Sequence, residues 1–177
     1  METSDWLTRG TIWLALALYV VSESTTALAT GSCSRTAASW LNRAGLVAFV
    51  AHVACAFHFF HDWSHSLAYR DTARQTAALF GWNWGGGLYI NYAFGFLWMV
   101  EVAWAWAVPI NFQQRPPWIT WAVRGFFLFM IFNGAVVFAH GGTRWLGLAL
   151  CTVLVGVWYR EEHLKASLTG RRKPMVL

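Results

Sequence analysis

Residues Ala44–His65 read AGLVAFVAHVACAFHFFHDWSH, a long apolar run that ends in three histidines and one aspartate. An apolar run of this length predicts a helix that crosses a membrane. Its polar end, which contains His58, His61, Asp62 and His65, is the part that membrane insertion does not explain. The stretch therefore indicates both the class of the fold and the position of a candidate site.

The composition of the whole chain favours a membrane protein. Of the 177 residues, 57% are hydrophobic and only 12% are charged, which lies outside the usual range of soluble domains. Tryptophan indole rings prefer the headgroup level of a bilayer. Most of the 13 tryptophans stand at the edges of apolar runs, at Trp6, Trp40, Trp63, Trp82, Trp84, Trp118, Trp145 and Trp158.

Five apolar segments have lengths that fit a hydrocarbon core of about 30 Å. They cover residues 8–30, 39–62, 86–109, 118–140 and 142–159. We therefore expect an all-α, polytopic transmembrane helix bundle of about five helices, with residues 1–177 as a single integral membrane domain. The first segment has two interpretations, because the polar run Ser22–Thr26 either ends the helix, leaving a loop to Trp40, or lies within it.

Glycine and proline set the other expected helix ends. No Gly or Pro lies between Asp62 and Phe80, so the second helix is expected to extend beyond the membrane or bend onto its surface. The glycine-rich stretch 81–87 then ends it. Pro109 is expected to close the third helix, and Pro116 and Pro117 to start the fourth.

The distribution of Lys and Arg predicts the orientation. Residues 160–177 carry five basic residues, which predicts a basic cytoplasmic tail. Five spans then place the N-terminus and the histidine cluster on the outer, periplasm-like side. The inner side carries the tail together with Arg35, Arg43 and Arg115, and the outer side carries Arg9, Arg70, Arg74 and Arg144. Four helices with a reversed N-terminus remain the alternative.

The histidine cluster predicts a metal site. On one continuous helix, His58, His61 and His65 fall within about 60° of one another, and Asp62 lies in the same sector. Imidazole is the commonest protein ligand for copper, zinc and iron. The predicted ligands are His58, His61, Asp62, His65 and His140, which ends the fourth segment on the same side. The cofactor is expected to be a transition metal, copper or iron, or haem b.

Polar residues on other helices are candidates for a supporting role. Asn91, Glu101 and Asn133 are assigned to a possible second ligand shell or proton relay. Glu101 lies among tryptophans, and a carboxylate in that setting needs a partner, either Arg124 or a proton. His52 is assigned to packing and His163 to the solvated tail.

Two family patterns bear on the histidines. The His61-x-x-x-His65 spacing is similar to one histidine box of membrane desaturases and hydroxylases, although that family uses about eight histidines and this chain has six. Bis-histidine b-type cytochromes place axial ligands on facing helices, which His58 or His61 with His140 would satisfy.

The expected function is that of a redox or oxygenase-type metal-binding subunit of a larger membrane complex. One alternative is a non-catalytic accessory subunit of a respiratory or photosynthetic complex, whose histidines are structural or bind haem or a pigment. A small proton- or metal-conducting protein is a third possibility, but it needs a polar stripe across the bilayer. The expected partners are the lipid bilayer and other membrane subunits, with no nucleic acid.

Overall fold

The computed structural model describes residues 3–28, 31–139 and 141–170, with side chains described as far as residue 167. This part of the chain is helical and contains no strand. Its elements are α1 (Thr3–Leu28), α2 (Ser32–Phe60), α3 (His65–Phe80), α4 (Gly87–Ala107), α5 (Pro109–Gln113), α6 (Pro117–Phe132), a π-helical turn π1 (Asn133–Val137) and α7 (Thr143–Gly170).

Four helices in the described ranges are long and apolar enough to cross a membrane. They are α1, α2, α4 and the continuous segment formed by α6 and π1. These helices support an integral, multi-pass membrane location for the chain. The longest of the remaining helices, α7, is amphiphilic in composition, because its apolar first part is followed by the charged run that begins at Arg160.

The first helix continues through its polar end. The hydroxyl groups of Ser24, Thr25 and Thr26 each donate a hydrogen bond to the backbone carbonyl four residues earlier, at 2.7–2.9 Å. The Ser22 hydroxyl donates to the Ala38 carbonyl on α2 at 2.8 Å. Because these bonds satisfy the polar side chains inside the helix, α1 reaches Leu28 and no long loop to Trp40 exists.

The second helix ends earlier than the sequence predicted. After Phe60 the backbone turns, with Asp62 at φ 45° and Trp63 at φ 56°, and the Trp63 amide donates to the Phe57 carbonyl at 3.0 Å. Ser64 then caps α3 by accepting a hydrogen bond from the Leu67 amide. The expectation of one helix running through Asp62 is therefore wrong, since a left-handed turn and a serine cap break it without Gly or Pro.

The other expected helix ends are confirmed. Gly81, at φ 76°, occupies the left-handed position that ends α3 and its amide donates to the Ala77 carbonyl. α4 ends at Ala107, two residues before Pro109, and α6 begins at Pro117.

The long helices run antiparallel, which gives the molecule two polar ends. At the end we call the basic end, Arg124 of α6 contacts Glu23 of α1 and Glu161 of α7. At the opposite end, the histidine end, the His52 ring of α2 contacts the Thr8 carbonyl of α1, and the His65 ring of α3 contacts Tyr92 of α4. Between them lies a packed aromatic core that includes Tyr19, Phe94, Trp98 and Phe127.

Candidate functional site

A pocket of about 530 Å³ opens at the histidine end. Its deep wall is apolar and includes Leu16, Phe49, Phe94 and Ile131. Its polar lining residues come from five elements: Arg9 of α1, His52 and His61 of α2 and its C-cap, Thr72 and Gln75 of α3, Asn91 and Tyr92 of α4, and Thr143 of α7. The volume and the combination of an apolar wall with a few polar groups are typical of a small-molecule or cofactor site.

His61 lies at the C-cap of α2, where the chain turns towards α3. Its Nδ1 atom is 3.1 Å from Oδ2 of Asp71, which belongs to α3. Nδ1 is buried, and the direction of its contact with the carboxylate departs from that of an ideal hydrogen bond. A carboxylate at this distance favours a proton on Nδ1, which leaves Nε2 as the ring nitrogen with a free lone pair.

Asp71 has a second contact, to the guanidinium of Arg74 one helical turn later. The Asp71 carboxylate therefore lies between the His61 imidazole and the Arg74 guanidinium. The turn at residues 61–64 produces this arrangement, because it brings α3 back beside the end of α2.

His52 is held in a similar way by the backbone. Its Nδ1 atom is 2.8 Å from the Thr8 carbonyl oxygen, and a carbonyl can only accept, so Nδ1 is the donor. The neutral ring then has its lone pair on Nε2. His52 and His61 thus both line the pocket. In both rings the contact at Nδ1 favours the tautomer in which a histidine binds a metal through Nε2.

A single ion bound by both rings is disfavoured by the helix geometry. Nine residues separate His52 from His61, which is about 13 Å along a helix, whereas ligands of one ion lie about 2 Å from it. In the described ranges, no group of three or more His, Cys, Asp or Glu side chains is placed to hold a metal ion.

The predicted ligand set is not assembled around one point. The His58 ring is exposed and packs on Phe59 at 4.7 Å between ring centroids, and Asp62 is exposed in the turn. His65, the first residue of α3, is exposed and bonded to Tyr92 Oη at 3.1 Å, with Tyr89 Oη at 3.4 Å. Of the five predicted ligands, His61 lines the pocket; His140 lies outside the described residues.

The predicted supporting residues divide between the two ends. Asn91 lines the pocket. Asn133 begins π1, and its carbonyl accepts the Phe138 amide at 2.9 Å. π1 also contributes Gly134 and Ala135 to the pocket wall, and π-helical turns inside α-helices are frequent at functional sites.

Glu101 faces protein at the basic end and is buried. Its two carboxylate oxygens accept from Arg115 Nη1 at 2.7 and 2.6 Å, and Arg115 also donates to the Thr120 hydroxyl. The expectation of a polar partner is confirmed, but the partner is Arg115. Arg124 is instead paired with Glu23 and Glu161.

Several functional candidates were missed in the sequence. Asp71 and His52 are the clearest, because Asp71 contacts Nδ1 of His61 and His52 lines the pocket with its own Nδ1 bonded to the Thr8 carbonyl. The available signal was Ser64, because serine is a favoured N-cap residue immediately before the first residue of a helix. That signal would have separated His65 from His61 and brought Asp71 towards the turn.

No protein-family model, curated protein or solved structure matches the chain.

Proposed function

We propose that this chain is a multi-pass membrane protein that binds haem b in the pocket at its histidine end, with His61 as an axial ligand. The observation that carries the proposal is the His61–Asp71 contact on the pocket wall. A carboxylate at Nδ1 fixes the tautomer and raises the basicity of the liganding nitrogen, which is a common arrangement behind metal-bound histidines.

Haem fits this pocket better than a bare copper or iron ion does. An ion needs several side-chain ligands around one point, and the described residues offer no such group. Haem needs only one or two axial ligands and an apolar slot for its ring. The apolar wall formed by Phe49, Phe94 and Ile131 suits the ring, and Arg9 suits its propionate groups.

Haem at this position would supply one-electron chemistry. The chain's own part would be to bind the iron through His61 and to orient the His61 imidazole through Asp71. The apolar pocket wall would shield the haem from water. Tyr92 and Asn91 line the pocket beside His61 and would offer hydrogen-bonding groups to a molecule bound there. The chain would act as a redox or oxygenase-type subunit of a larger membrane complex.

Five membrane spans are part of the proposal. α7 packs antiparallel to α6 from Gly147, which lies against Ala135, to Glu161, which binds Arg124. These two contacts are 14 residues apart, or about 21 Å along the helix, so α7 accompanies α6 over most of a hydrocarbon core. The Lys and Arg bias then favours a cytoplasmic location for the basic end and an outer location for the pocket.

The test is an absorption spectrum combined with elemental analysis of the protein purified from its native membrane. The proposal expects a Soret band, an α-band that sharpens on reduction, and iron in proportion to protein. Copper or iron without a haem spectrum would instead favour the bare-ion site. A protein with neither metal nor haem would favour the accessory-subunit function, with histidines that bond only to backbone and tyrosine.

A further inference from the structure

A second concave surface lies between α6 and α7, and it shares no lining residue with the pocket. It is an open groove of about 710 Å³ with an almost wholly apolar lining. The lining residues are Gly125, Leu128, Phe129 and Phe132 of α6, and Cys151, Thr152, Val155, Gly156 and Tyr159 of α7.

Two glycines keep the groove open. A Cβ atom added at Gly125 or Gly156 would meet no atom within 4 Å, and neither residue has a positive φ. Glycine in a helix interior is less favourable than alanine by about 1 kcal/mol. Neither the backbone conformation nor internal packing thus requires glycine here, in contrast to Gly147.

The length of the groove discriminates between possible occupants. Its lining covers residues 125–132 and 151–159, which correspond to about 12 Å of helix. One leaflet of a hydrocarbon core about 30 Å thick has a depth of about 15 Å. An acyl chain fits a groove of one-leaflet length, whereas a partner's transmembrane helix would be expected to follow α6 and α7 across both leaflets.

An exposed cationic side chain lies close to the end of the groove at Tyr159. Tyr159 is 66% exposed. Arg160 follows Gly156 by four residues and so lies on the same face of α7. Arg160 is exposed and has no hydrogen bond or ion pair with another described residue. This contrasts with Arg115 and Arg124, which are both paired with carboxylates.

From this apolar groove with a cation at its interfacial end, we infer a binding site for one anionic phospholipid. An acyl chain lies along Gly125 and Gly156, and the lipid phosphate binds Arg160. The lipid belongs to the leaflet at the basic end. The inference does not depend on the haem proposal, because it uses the opposite face of α6.

The experiment is native mass spectrometry of the full-length protein in mild detergent, with added phosphatidylglycerol or phosphatidylcholine of identical acyl chains. The expected result is that the wild-type protein binds phosphatidylglycerol about fivefold more tightly than phosphatidylcholine, the preference that one basic residue near an anionic lipid supplies. Gly156→Leu fills the groove without an internal clash and should lose both lipids. Arg160→Gln should bind the two lipids equally, at the level of phosphatidylcholine on the wild type.

Two controls separate the site from general effects. Arg35→Gln removes another exposed arginine at the basic end and should leave the lipid preference unchanged. Gly125→Leu is a second groove-filling variant, for use if Gly156→Leu changes the helicity of the protein. Equal binding of both lipids to the wild type, or retained lipid in both filled variants, would overturn the inference. The inference would also be overturned if the wild-type protein were a dimer that binds no lipid and if Gly156→Leu dissociated this dimer. That result would assign the groove to a second copy of the chain.

Discussion

The buried charges at the basic end are held by specific partners, and this determines what their removal costs. Glu101 and Arg115 have side chains only 10% exposed and bind each other through two carboxylate oxygens. Removal of one member leaves the other charge buried without compensation, at a cost of about 3–5 kcal/mol. The buried guanidinium nitrogen Nη1 of Arg124 has no partner among the described residues. The charge of Arg124 is therefore compensated by the carboxylates of Glu23 and Glu161, and we expect the loss of either one to be costly as well.

We expect Glu101→Gln to lower the free energy of unfolding by about 3 kcal/mol, because it leaves the Arg115 charge unneutralised. The measurement is thermal or denaturant unfolding in detergent, followed by circular dichroism. Glu162→Gln is the matched control, because Glu162 binds Lys165 at an exposed position. This substitution should lower the free energy of unfolding by less than about 1 kcal/mol. Equal losses from the two variants would contradict the account.

The ion pairs beyond Tyr159 predict a dependence of stability on pH. Burial raises the pKa of Glu161, but hydrogen bonds from Lys165 and Arg124 outweigh it and hold that pKa below its ordinary value of 4.5. A carboxyl group with a lowered pKa stabilises the fold above its unfolded pKa, and the contribution is lost as the pH falls through the folded value. Stability should therefore fall below about pH 4.5.

The unfolding midpoint measured from pH 7 to pH 3 checks this expectation. Glu161→Gln should make the acid limb of that curve shallower and should lower the midpoint at pH 7. An unchanged acid limb in Glu161→Gln would show that other carboxylates dominate the acid transition.

The helices that the sequence predicted correctly are those whose ends carry Gly or Pro. Gly81 ends α3, Pro109 follows α4, and Pro117 starts α6, and each acts through its own backbone restriction. The break after Phe60 was missed because two non-glycine residues, Asp62 and Trp63, adopt positive φ there. Such a turn is stabilised by tertiary contacts, including the His61–Asp71 contact, which periodicity along one helix cannot reveal.

The same limitation explains how little of the candidate site could be predicted. Residue type identified His61 and Asn91, and the cost of a buried charge predicted that Glu101 has a polar partner. The choice of Arg115 over Arg124 depends on the chain reversal through α5, and the role of Asp71 depends on the turn at residues 61–64. The Glu101–Arg115 pair and the His61–Asp71 contact are both consequences of how the helices pack.

The contact between α7 and π1 is unusually close. A Cβ atom at Gly147 would lie 2.3 Å from the Ala135 carbonyl oxygen, so α7 would have to move. We expect Gly147→Ala to lower the free energy of unfolding by about 1–3 kcal/mol, the usual cost of overpacking. It should also disturb the pocket wall that Ala135 forms.

Gly156→Ala is the matched control on the same helix, because its Cβ would meet nothing within 4 Å. The higher helix propensity of alanine should leave this variant as stable as the wild type or more stable. Both are measured by unfolding in detergent. A Gly147→Ala variant as stable as Gly156→Ala would contradict the close approach of the two helices.

The placement of both polar ends depends on the number of spans. In five spans, the α3–α4 loop and the end of α7 lie on opposite sides of the membrane. We expect Asn83→Cys, in a cysteine-free background, to react with a membrane-impermeant maleimide on intact cells. Ala166→Cys should react only after permeabilisation. Labelling of both positions under the same condition would contradict five spans and the proposed orientation.

The most direct test of the proposed haem binding is the haem-to-protein ratio, measured by the pyridine haemochromogen assay, in the wild type and two histidine variants. His61→Ala removes a ring on the pocket wall, whereas His58→Ala removes an exposed ring three residues earlier that does not line the pocket. We expect about one haem per chain in the wild type and in His58→Ala, and almost none in His61→Ala with its helicity intact. A wild type without haem, or a His61→Ala variant with the wild-type ratio, would contradict the proposal.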